Sequence, residues 1–340
     1  MATYQGIELP AAEVAALQDL ERVRREPAEH VPGRERLGGF HFNEEDGHVV
    51  RLQVKYYKAP RLPDSIGNFA ALEELNLSRC EFRAIPDSIG NLTALKVFDA
   101  QHGRIEHLPG SIGNLTSLER VNLGGYNRIR SIPGSIGTLA NLEQLSVTGS
   151  FTTIPDSIGT LATLKQLKLS GWFDAIPGCI GALASLVRLD LGCPRLLSFP
   201  DNFGSLSSLE WLKIKIPPAE GESTPLVLPD SIGALSSLKW LDLFNDEHLF
   251  TIPDAIGDLS SLIGIDLLNT GLDDIPPVLC TLPRLQVCLF DYLYENMGCL
   301  EHLPRLRTKP WLMDDGKSLE QNVKDYTEDL VKEIPFFGTV

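Results

Sequence analysis

The residue types that most often perform chemistry in proteins are present in this chain, but their spacing does not suit a reaction. Gly316-Lys317-Ser318 resembles the end of a phosphate-binding loop, but Trp311 stands where that loop needs its first glycine. The histidines show no spacing typical of metal ligands. They are His30, His41, His48, His102, His107, His248 and His302. The sequence therefore predicts no enzyme, no cofactor and no metal site.

The six cysteines could form disulfides, bind a metal or act as nucleophiles, but no two of them make a C-x-x-C pair. They are Cys80, Cys179, Cys193, Cys280, Cys288 and Cys299. We interpret all six as reduced thiols, packed mostly in the core of a cytoplasmic protein. The alternative is that Cys288 and Cys299 mimic the cysteine cluster of an extracellular protein.

A pattern of leucines repeats along most of the chain, and the structure that it specifies must position any functional residues. It is clearest in the run Leu72-x-x-Leu75-x-Leu77, which is followed by Ile85-Pro86 and Ile89-Gly90. Full units begin at Val49, Leu72, Leu95, Leu118, Leu142, Leu164, Leu186, Leu209, Leu238 and Leu262, and a half unit begins at Leu285. Successive units start 22–24 residues apart, except for one interval of 29 residues.

The residue types of each unit predict its local structure. Leucines that alternate with polar residues indicate a strand buried on one side, and such strands stack in parallel. The proline ends the strand, the following Asp or Ser caps a short helical turn, and the glycine permits a sharp exit. One unit cannot bury its leucines alone, so stability must come from neighbouring units and from caps. We predict an α/β solenoid, a curved right-handed arc with its parallel sheet on the concave face and short helical or 3-10 segments on the convex face.

Residues 72–95 and the units that repeat their pattern resemble the leucine-rich-repeat superfamily. The phrase IPDSIGNLTALK (residues 85–96) is most similar to intracellular types, such as plant Ras-group-related and Roco-type repeat arrays, and to arrays in bacterial and archaeal proteins. The resemblance covers roughly residues 40–300 and implies a solenoid that binds other proteins. The ninth position of the unit departs from the family, because it is rarely the usual Asn. We therefore expect the turns after the strands to hydrogen-bond with water.

The two ends of the array are predicted to be caps. Residues 1–48 form an N-terminal cap, with an amphipathic helix over 11–26 and a hairpin strand that includes Phe40 and Phe42. Val14, Leu17, Leu20 and Val23 mark the inward face of that helix. Residues 49–284 form the ten repeats, and residues 285–340 form a half repeat and a helical cap with a helix over 318–334.

The concave face carries the predicted binding residues, because the polar positions between the leucines point outward. Trp211 and Trp240 hold the same position in adjacent units and should lie side by side as exposed anchors of an interface. The alternative is that the two rings only pack against each other. The predicted contact set is Trp211, Trp240, Phe244, Lys213, Asp242, Asp266 and Arg188. We expect the charged members to set the register of a partner more than its affinity.

The long unit that begins at Leu209 contains an insertion at residues 217–225. Insertions in repeat arrays form loops that often lie on the binding side, but long surface loops are also tolerated without a function. The sequence leaves both interpretations open.

Composition narrows the class of partner. The chain has 340 residues and a net charge of −15, which argues against nucleic acid and anionic membrane surfaces as partners. No apolar stretch is long enough for a membrane-spanning helix, and Met1–Pro10 does not resemble a secretory signal. We expect a monomeric, cytoplasmic module that binds a protein or peptide on its concave face. The alternatives are a scaffold or regulator of a small GTPase and a secreted effector that recruits a host protein.

Overall fold

The repeats stack side by side through one sheet. The computed structural model describes residues 1–24, 28–31, 39–216, 225–244, 246–247, 249–290 and 305–308. Within those ranges the sheet has fourteen strands in chain order, and every neighbouring pair is parallel except the antiparallel pair β4–β5. The predicted α/β repeat solenoid is confirmed.

The strands before the first full repeat belong to the N-terminal cap. A hairpin of β1 (Ala2–Tyr4) and β2 (Ile7–Leu9) precedes helix α1 (Ala11–Arg24), and β3 (Glu29–His30) and β4 (Phe40–Glu45) follow it. Strand β5 (His48–Val54), which pairs with β4, is the strand of the first repeat. Helix α1 confirms the predicted helix, with Val14, Leu17 and Leu20 buried. The side chain of Val23 lies outside the described residues. The β4–β5 pair confirms the predicted hairpin, and the β1–β2 hairpin is a further element that the sequence analysis did not predict.

The other nine repeats contribute one strand each, and the half unit adds another. They are β6 (Glu74–Asn76), β7 (Val97–Asp99), β8 (Arg120–Leu123), β9 (Gln144–Thr148), β10 (Gln166–Ser170), β11 (Arg188–Gly192), β12 (Trp211–Lys215), β13 (Trp240–Asp242), β14 (Gly264–Asp266) and β15 (Val287–Phe290). The last described strand is β16 (Arg305–Thr308). The unit that begins at Leu285 contributes β15, which pairs in parallel with β16. The predicted helix over 318–334 lies outside the described residues. No helix of the described ranges has the length and apolarity needed to cross a membrane.

The convex side is built from short 3-10 turns. They span Asp64–Asn68, Asp87–Asn91, Gly110–Asn114, Gly134–Thr138, Asp156–Thr160, Gly178–Ala182, Asp201–Ser205, Asp230–Ala234, Asp254–Asp258 and Pro277–Thr281. The predicted side-chain caps are wrong. In each of these turns the cap residue is the proline itself, whose extended backbone leads into the turn, and no side-chain hydrogen bond caps it.

The glycine of each Ile-Gly pair serves close packing between repeats rather than a sharp exit. A Cβ added to Gly113 would lie 2.6 Å from the carbonyl oxygen of Ser135 and 2.7 Å from the Oγ1 of Thr138. Gly67, Gly90, Gly137, Gly159, Gly181, Gly204 and Gly233 meet the next turn at 2.3–2.8 Å in the same way. None of these glycines has a positive φ, so the missing side chain matters because of space. The hydroxyl of Thr138 also donates a hydrogen bond to the Gly113 carbonyl at 2.7 Å, which ties the two turns together.

The turns after the strands hydrogen-bond with one another, so the expectation that they would depend on water is wrong. The amide of Glu81 donates to the Tyr57 carbonyl at 2.8 Å, and the amide of Arg128 donates to the Ile105 carbonyl at 2.8 Å. Asn127 is the one ninth-position Asn, and its side chain accepts from the Ile105 amide and donates to the Ala100 carbonyl. Elsewhere Tyr57 and Cys80 fill the same position as buried core residues.

One substitution pair tests the packing role of the glycines. We expect Gly113→Ala to lower the free energy of unfolding by about 1–3 kcal/mol, because the new methyl group overlaps the backbone of the next turn. Gly110→Ala is the matched control, since Gly110 lies in the same turn with no atom within 4 Å of an added Cβ. We expect this control to be neutral or to stabilise by about 0.4–1 kcal/mol. Urea unfolding of both variants makes the comparison, and equal stabilities would contradict it.

Candidate functional site

Five adjacent strands form a groove on the concave face. Parallel pairing in register places Lys168 next to Asp190, Asp190 next to Lys213, and Lys213 next to Asp242. The resulting concave groove has a volume of about 340 Å³. It is lined by Lys168, Ser170, Asp190, Leu191, Gly192, Lys213, Lys215, Asp242, Phe244 and Asp266. Ser170 and Gly192 are the small residues of this lining, and most of the other lining residues are charged.

Two lysines of the concave groove form no ion pair with the residues that the structure describes. Asp190 accepts a hydrogen bond from the Nη2 of Arg188 at 3.0 Å, and Asp242 accepts one from the Nζ of Lys213 at 2.5 Å. Among the described residues, neither Lys168 nor Lys215 forms an ion pair. The groove therefore presents two available ammonium groups, on strands separated by one intervening strand.

The fifth position of the unit has a structural role that the sequence analysis missed. In five units an Asp or Asn at this position accepts a hydrogen bond from the backbone N–H two residues later, at 3.0–3.2 Å. These residues are Asn76, Asp99, Asn122, Asp242 and Asp266. Such Asx turns redirect the chain as it leaves each strand. The recurrence of Asx at one repeat position was the signal that could have revealed it. Asp242 and Asp266 thus support the fold as well as line the groove.

The two tryptophans lie side by side as predicted, but they are not exposed. Trp211 pairs with Trp240 in the sheet, and their rings stack with centroids 5.6 Å apart and an interplanar angle of 13°. Only 8% of Trp211 and 3% of Trp240 is exposed, and Val287 packs against them in the same cluster. The guanidinium of Arg188 lies 4.9 Å from the Trp211 ring centroid, within range of a cation–π interaction.

Gly264 explains why Trp240 is buried. A Cβ on Gly264 would lie 2.1 Å from the Trp240 ring, so the ring occupies the space above this glycine. Neighbouring strands are only about 4.8 Å apart, and a large ring must therefore lie over its neighbour. The expectation of exposed anchors is wrong for this reason. Truncation of either ring removes core packing, so it would not separate a loss of binding from a loss of stability.

The predicted contact set divides into two adjacent groups. Lys213, Asp242, Phe244 and Asp266 line the concave groove, whereas Arg188, Trp211 and Trp240 form a stacked row beside it. Phe244 is partly exposed and is the aromatic side chain of the groove. Lys168, Asp190 and Lys215 also line the groove. The predicted set omits them, because pairing between side chains on neighbouring strands depends on exact register.

Asp246 is a buried carboxyl next to the groove and the insertion. Its Oδ1 accepts a hydrogen bond from the amide of Ile216, the last described residue before the gap at 217–224. Its Oδ2 has no hydrogen-bond partner among the described residues. Burial raises the pKa of Asp246 to about 8; the Ile216 hydrogen bond opposes this shift, Asp242 adds to it, and Lys213 and Lys215 oppose it. The carboxyl is therefore largely protonated near neutral pH. The insertion itself lies outside the described residues, except for the exposed Pro225.

The raised pKa of Asp246 predicts a pH-dependent stability. The folded state keeps a proton on Asp246 that the unfolded state releases above about pH 4, so stability falls as the pH rises from about 4 to about 8. Asp246→Asn should remove this dependence, because an amide can still accept the hydrogen bond from Ile216. We expect the variant to be more stable than the wild type by a few kcal/mol at pH 8 and by much less at pH 4. Denaturant unfolding at the two pH values measures this, and a constant difference would contradict it.

The thiols of the described residues do not show the features of reactive cysteines. Burial raises the pKa of Cys193 to about 11 and that of Cys288 to about 12, and it also raises the pKa of Cys179. Cys80, Cys179, Cys193 and Cys288 are free. Cys280 is disulfide-bonded, so the interpretation of all six cysteines as reduced thiols is wrong. Within the described ranges, no group of three or more His, Cys, Asp or Glu side chains is placed to hold a metal ion.

Comparison with known proteins agrees with this architecture. Residues 48–151 match a family model described as a leucine-rich repeat region. No curated protein matches the chain. A leucine-rich-repeat protein of Leptospira interrogans is similar in structure, with a TM-score of 0.64 and 23% identity over 90% of this chain and 82% of that chain.

Two receptor structures are also similar but longer. The structure of a TDR receptor has a TM-score of 0.58 and 26% identity, and the match covers 79% of this chain and 46% of that chain. The leucine-rich-repeat ectodomain of the Arabidopsis receptor kinase HAESA, in complex with an IDA peptide hormone, has a TM-score of 0.55 and 22% identity. That match covers 78% of this chain and 44% of that chain. Together these findings support the leucine-rich-repeat superfamily and a solenoid fold.

Proposed function

We propose that the chain binds a protein or peptide partner along its concave face, with the concave groove at the centre of contact. The observation that carries this proposal is the combination of Lys168 and Lys215, which form no ion pair within the described ranges, with the partly exposed ring of Phe244 in one groove. Charged donors and an aromatic ring are the groups that orient and anchor a bound segment. The groove lies on a continuous sheet, so a partner meets a surface that is already ordered, which lowers the entropic cost of binding.

The stacked row beside the groove keeps the neighbouring side chains in place and enlarges the surface that a partner can contact. Arg188, Trp211 and Trp240 hold one another by stacking, and Asp242 and Lys213 are fixed by their ion pair. We propose that a partner contacts the outer edges of this row while its main contacts fall on Phe244, Lys168 and Lys215. In this arrangement the tryptophans stiffen the site.

The structural relatives are consistent with a peptide ligand. The HAESA ectodomain, which shares this fold at 22% identity, was solved with a peptide hormone. The likeness supports the architecture of the concave face, and the identity of a ligand for this chain must come from its own residues. We propose a binding role rather than a catalytic one and no cofactor. Regulation of a small GTPase and recruitment of a host protein are narrower roles within the same proposal.

We propose that the chain is a monomer and that it is located in the cytoplasm. Four of the five described cysteines are free, as a reducing cytoplasm would keep them, whereas a disulfide at Cys280 is typical of an oxidising compartment. A cytoplasmic location therefore stays a prediction. Thiol alkylation of the protein taken directly from its native cells would decide the redox state of Cys280.

Affinity capture with a groove variant tests the proposed function. The wild type, a Phe244→Ala/Lys215→Gln variant and a control variant are each exposed to lysate of the native cell, and the captured proteins are quantified by mass spectrometry. We expect at least one protein to be retained by the wild type and reduced about tenfold or more by the groove variant, since aromatic and charged contacts dominate such interfaces.

The control carries the same two types of substitution away from the groove. Phe250→Ala/Lys96→Gln removes an exposed ring and an exposed lysine, and we expect it to capture the same partner as the wild type. Unfolding midpoints of the three proteins establish that each is folded. Equal capture by the wild type and the groove variant, or capture of no protein by either, would contradict the proposed site.

A further inference from the structure

A second surface lies along one edge of the solenoid, where the chain leaves strands β5–β8. It comprises residues 55–61, 78–84, 101–107 and 124–130, the seventh to thirteenth positions of the first four units, and is called the basic edge below. These four segments contain eight lysines and arginines against two glutamates. The same positions of the ninth and tenth units, 244–250 and 268–274, contain no lysine or arginine and two acidic residues each. Positive charge is thus segregated to one part of a chain whose net charge is −15.

Backbone hydrogen bonds bring the four segments together. Arg83 donates its amide proton to the Pro60 carbonyl at 3.1 Å, Glu106 donates to the Arg83 carbonyl at 2.7 Å, and Arg130 donates to the Glu106 carbonyl at 3.0 Å. The side chains of the basic edge are therefore held on successive repeats about 4.8 Å apart.

Half of the eight cations on the basic edge are exposed and are not neutralised by the described residues. Glu106 pairs with Arg83 at 4.0 Å and with Arg130 at 2.5 Å. Lys58, Arg61, Arg104 and Arg128 are exposed and form no ion pair among the described residues. Arg79 lies over the ring of Tyr56, 6.0 Å from its centroid.

Aromatic rings are interleaved with these cations. Tyr56 is 58% exposed and Tyr126 is 77% exposed, and Tyr126 lies against His102 with ring centroids 5.5 Å apart. Tyr and Arg are enriched in protein interfaces, where large rigid rings and planar guanidinium groups supply most of the contact energy.

The eighth position of the unit gives a separate indication that these side chains serve binding at the surface rather than the local backbone conformation. Tyr56, Arg79 and His102 all have a left-handed backbone, with φ of 59°, 61° and 56°. Gly125 and Asn269 hold the same position in other units with φ of 81° and 54°, and Gly and Asn are the residues that this conformation favours. The basic edge thus places large aromatic and cationic side chains where the backbone favours small ones.

From this arrangement we propose that the basic edge binds an acidic segment of a partner protein, with carboxylates on the unpaired arginines and an apolar side chain against Tyr56 or Tyr126. A protein segment fits better than nucleic acid for two reasons. The edge spans four repeats, about 14 Å along the solenoid, and it includes Glu81 and Glu106, which would repel a continuous row of phosphates. This surface is separate from the concave groove, so one chain could hold two partners or two parts of one partner.

Fluorescence anisotropy with a defined probe tests this proposal. The probe is a fluorescein-labelled peptide of alternating glutamate and tyrosine, about eight residues long so that it covers the edge when extended. We expect it to bind the wild type, and to bind about tenfold or more weakly to an Arg61→Glu/Arg104→Glu/Arg128→Glu variant. Binding should also weaken as the salt concentration rises from about 0.05 M to about 0.2 M.

The matched control carries the same change in net charge elsewhere. Arg22→Glu/Arg195→Glu/Arg284→Glu reverses three exposed arginines outside the basic edge, and it should bind the probe nearly as well as the wild type. A Lys168→Glu/Lys215→Glu variant should also retain binding, which separates this surface from the concave groove. Circular dichroism and unfolding midpoints confirm that each variant is folded.

Four outcomes would overturn the proposal. They are no binding of the peptide by the wild type, equal weakening by the two arginine variants, loss of binding in the lysine variant, and tighter binding of an oligothymidylate of equal length than of the peptide. Sedimentation velocity tests a fifth outcome, which is salt-sensitive self-association of the chain through the acidic ninth and tenth units. That result would also overturn the proposal, because the basic edge would then bind a second copy of the chain.

Discussion

The close approach of one repeat to the next on the convex side is the constraint on which the rest of the structure depends. Strand pairing fixes the spacing of the repeats at the sheet, and the convex turns must follow it. The Ile-Gly pair meets this requirement because the glycine lets the next turn lie against its backbone, at distances that no side chain would permit. The leucines between the two layers are then buried from both sides, and the core runs unbroken from Tyr4 to Phe290.

Regular stacking also determines what the concave face can present. Since the strands pair in register, each repeat position becomes a row across the sheet. The burial and contacts of a side chain therefore depend on its neighbours in that row. In the third-position row Arg188, Trp211 and Trp240 cover one another and the last ring covers Gly264. In the fifth-position row Asp242 and Asp266 turn the chain out of the strand. The same regularity gathers cations into the basic edge, because charges 23 residues apart in the first units become neighbours.

Sequence periodicity was sufficient to predict the architecture. The leucine spacing predicted the parallel sheet and the convex 3-10 segments, and residues 11–26 predicted α1. The adjacency of Trp211 and Trp240 followed from their common position. Their burial did not, because it depends on how a ring leans over Gly264, which is a property of side-chain packing. The role of the Ile-Gly glycine was also misjudged, since sequence alone does not separate a glycine needed for its backbone angles from one needed for space.

The electrostatic part of the site was hardest to foresee. Lys168 matters because its neighbour Asp190 is already paired with Arg188, and Lys215 matters because Asp242 of the same groove is already paired with Lys213. Which cation pairs with which carboxylate depends on geometry that the sequence does not show. Asp246 is similar, since its raised pKa follows from complete burial beside Ile216 rather than from its neighbours in sequence.

The central claim is that partners meet the concave face, and site-specific photo-crosslinking tests it most directly. A benzophenone amino acid replaces Ser170 in the concave groove in one protein, and Asp201 on the convex turn of the adjoining repeat in another. Both proteins are irradiated in their native cells. The account predicts a discrete crosslinked product from position 170 and none from position 201. A product from position 201 alone, or equal products from both, would contradict it.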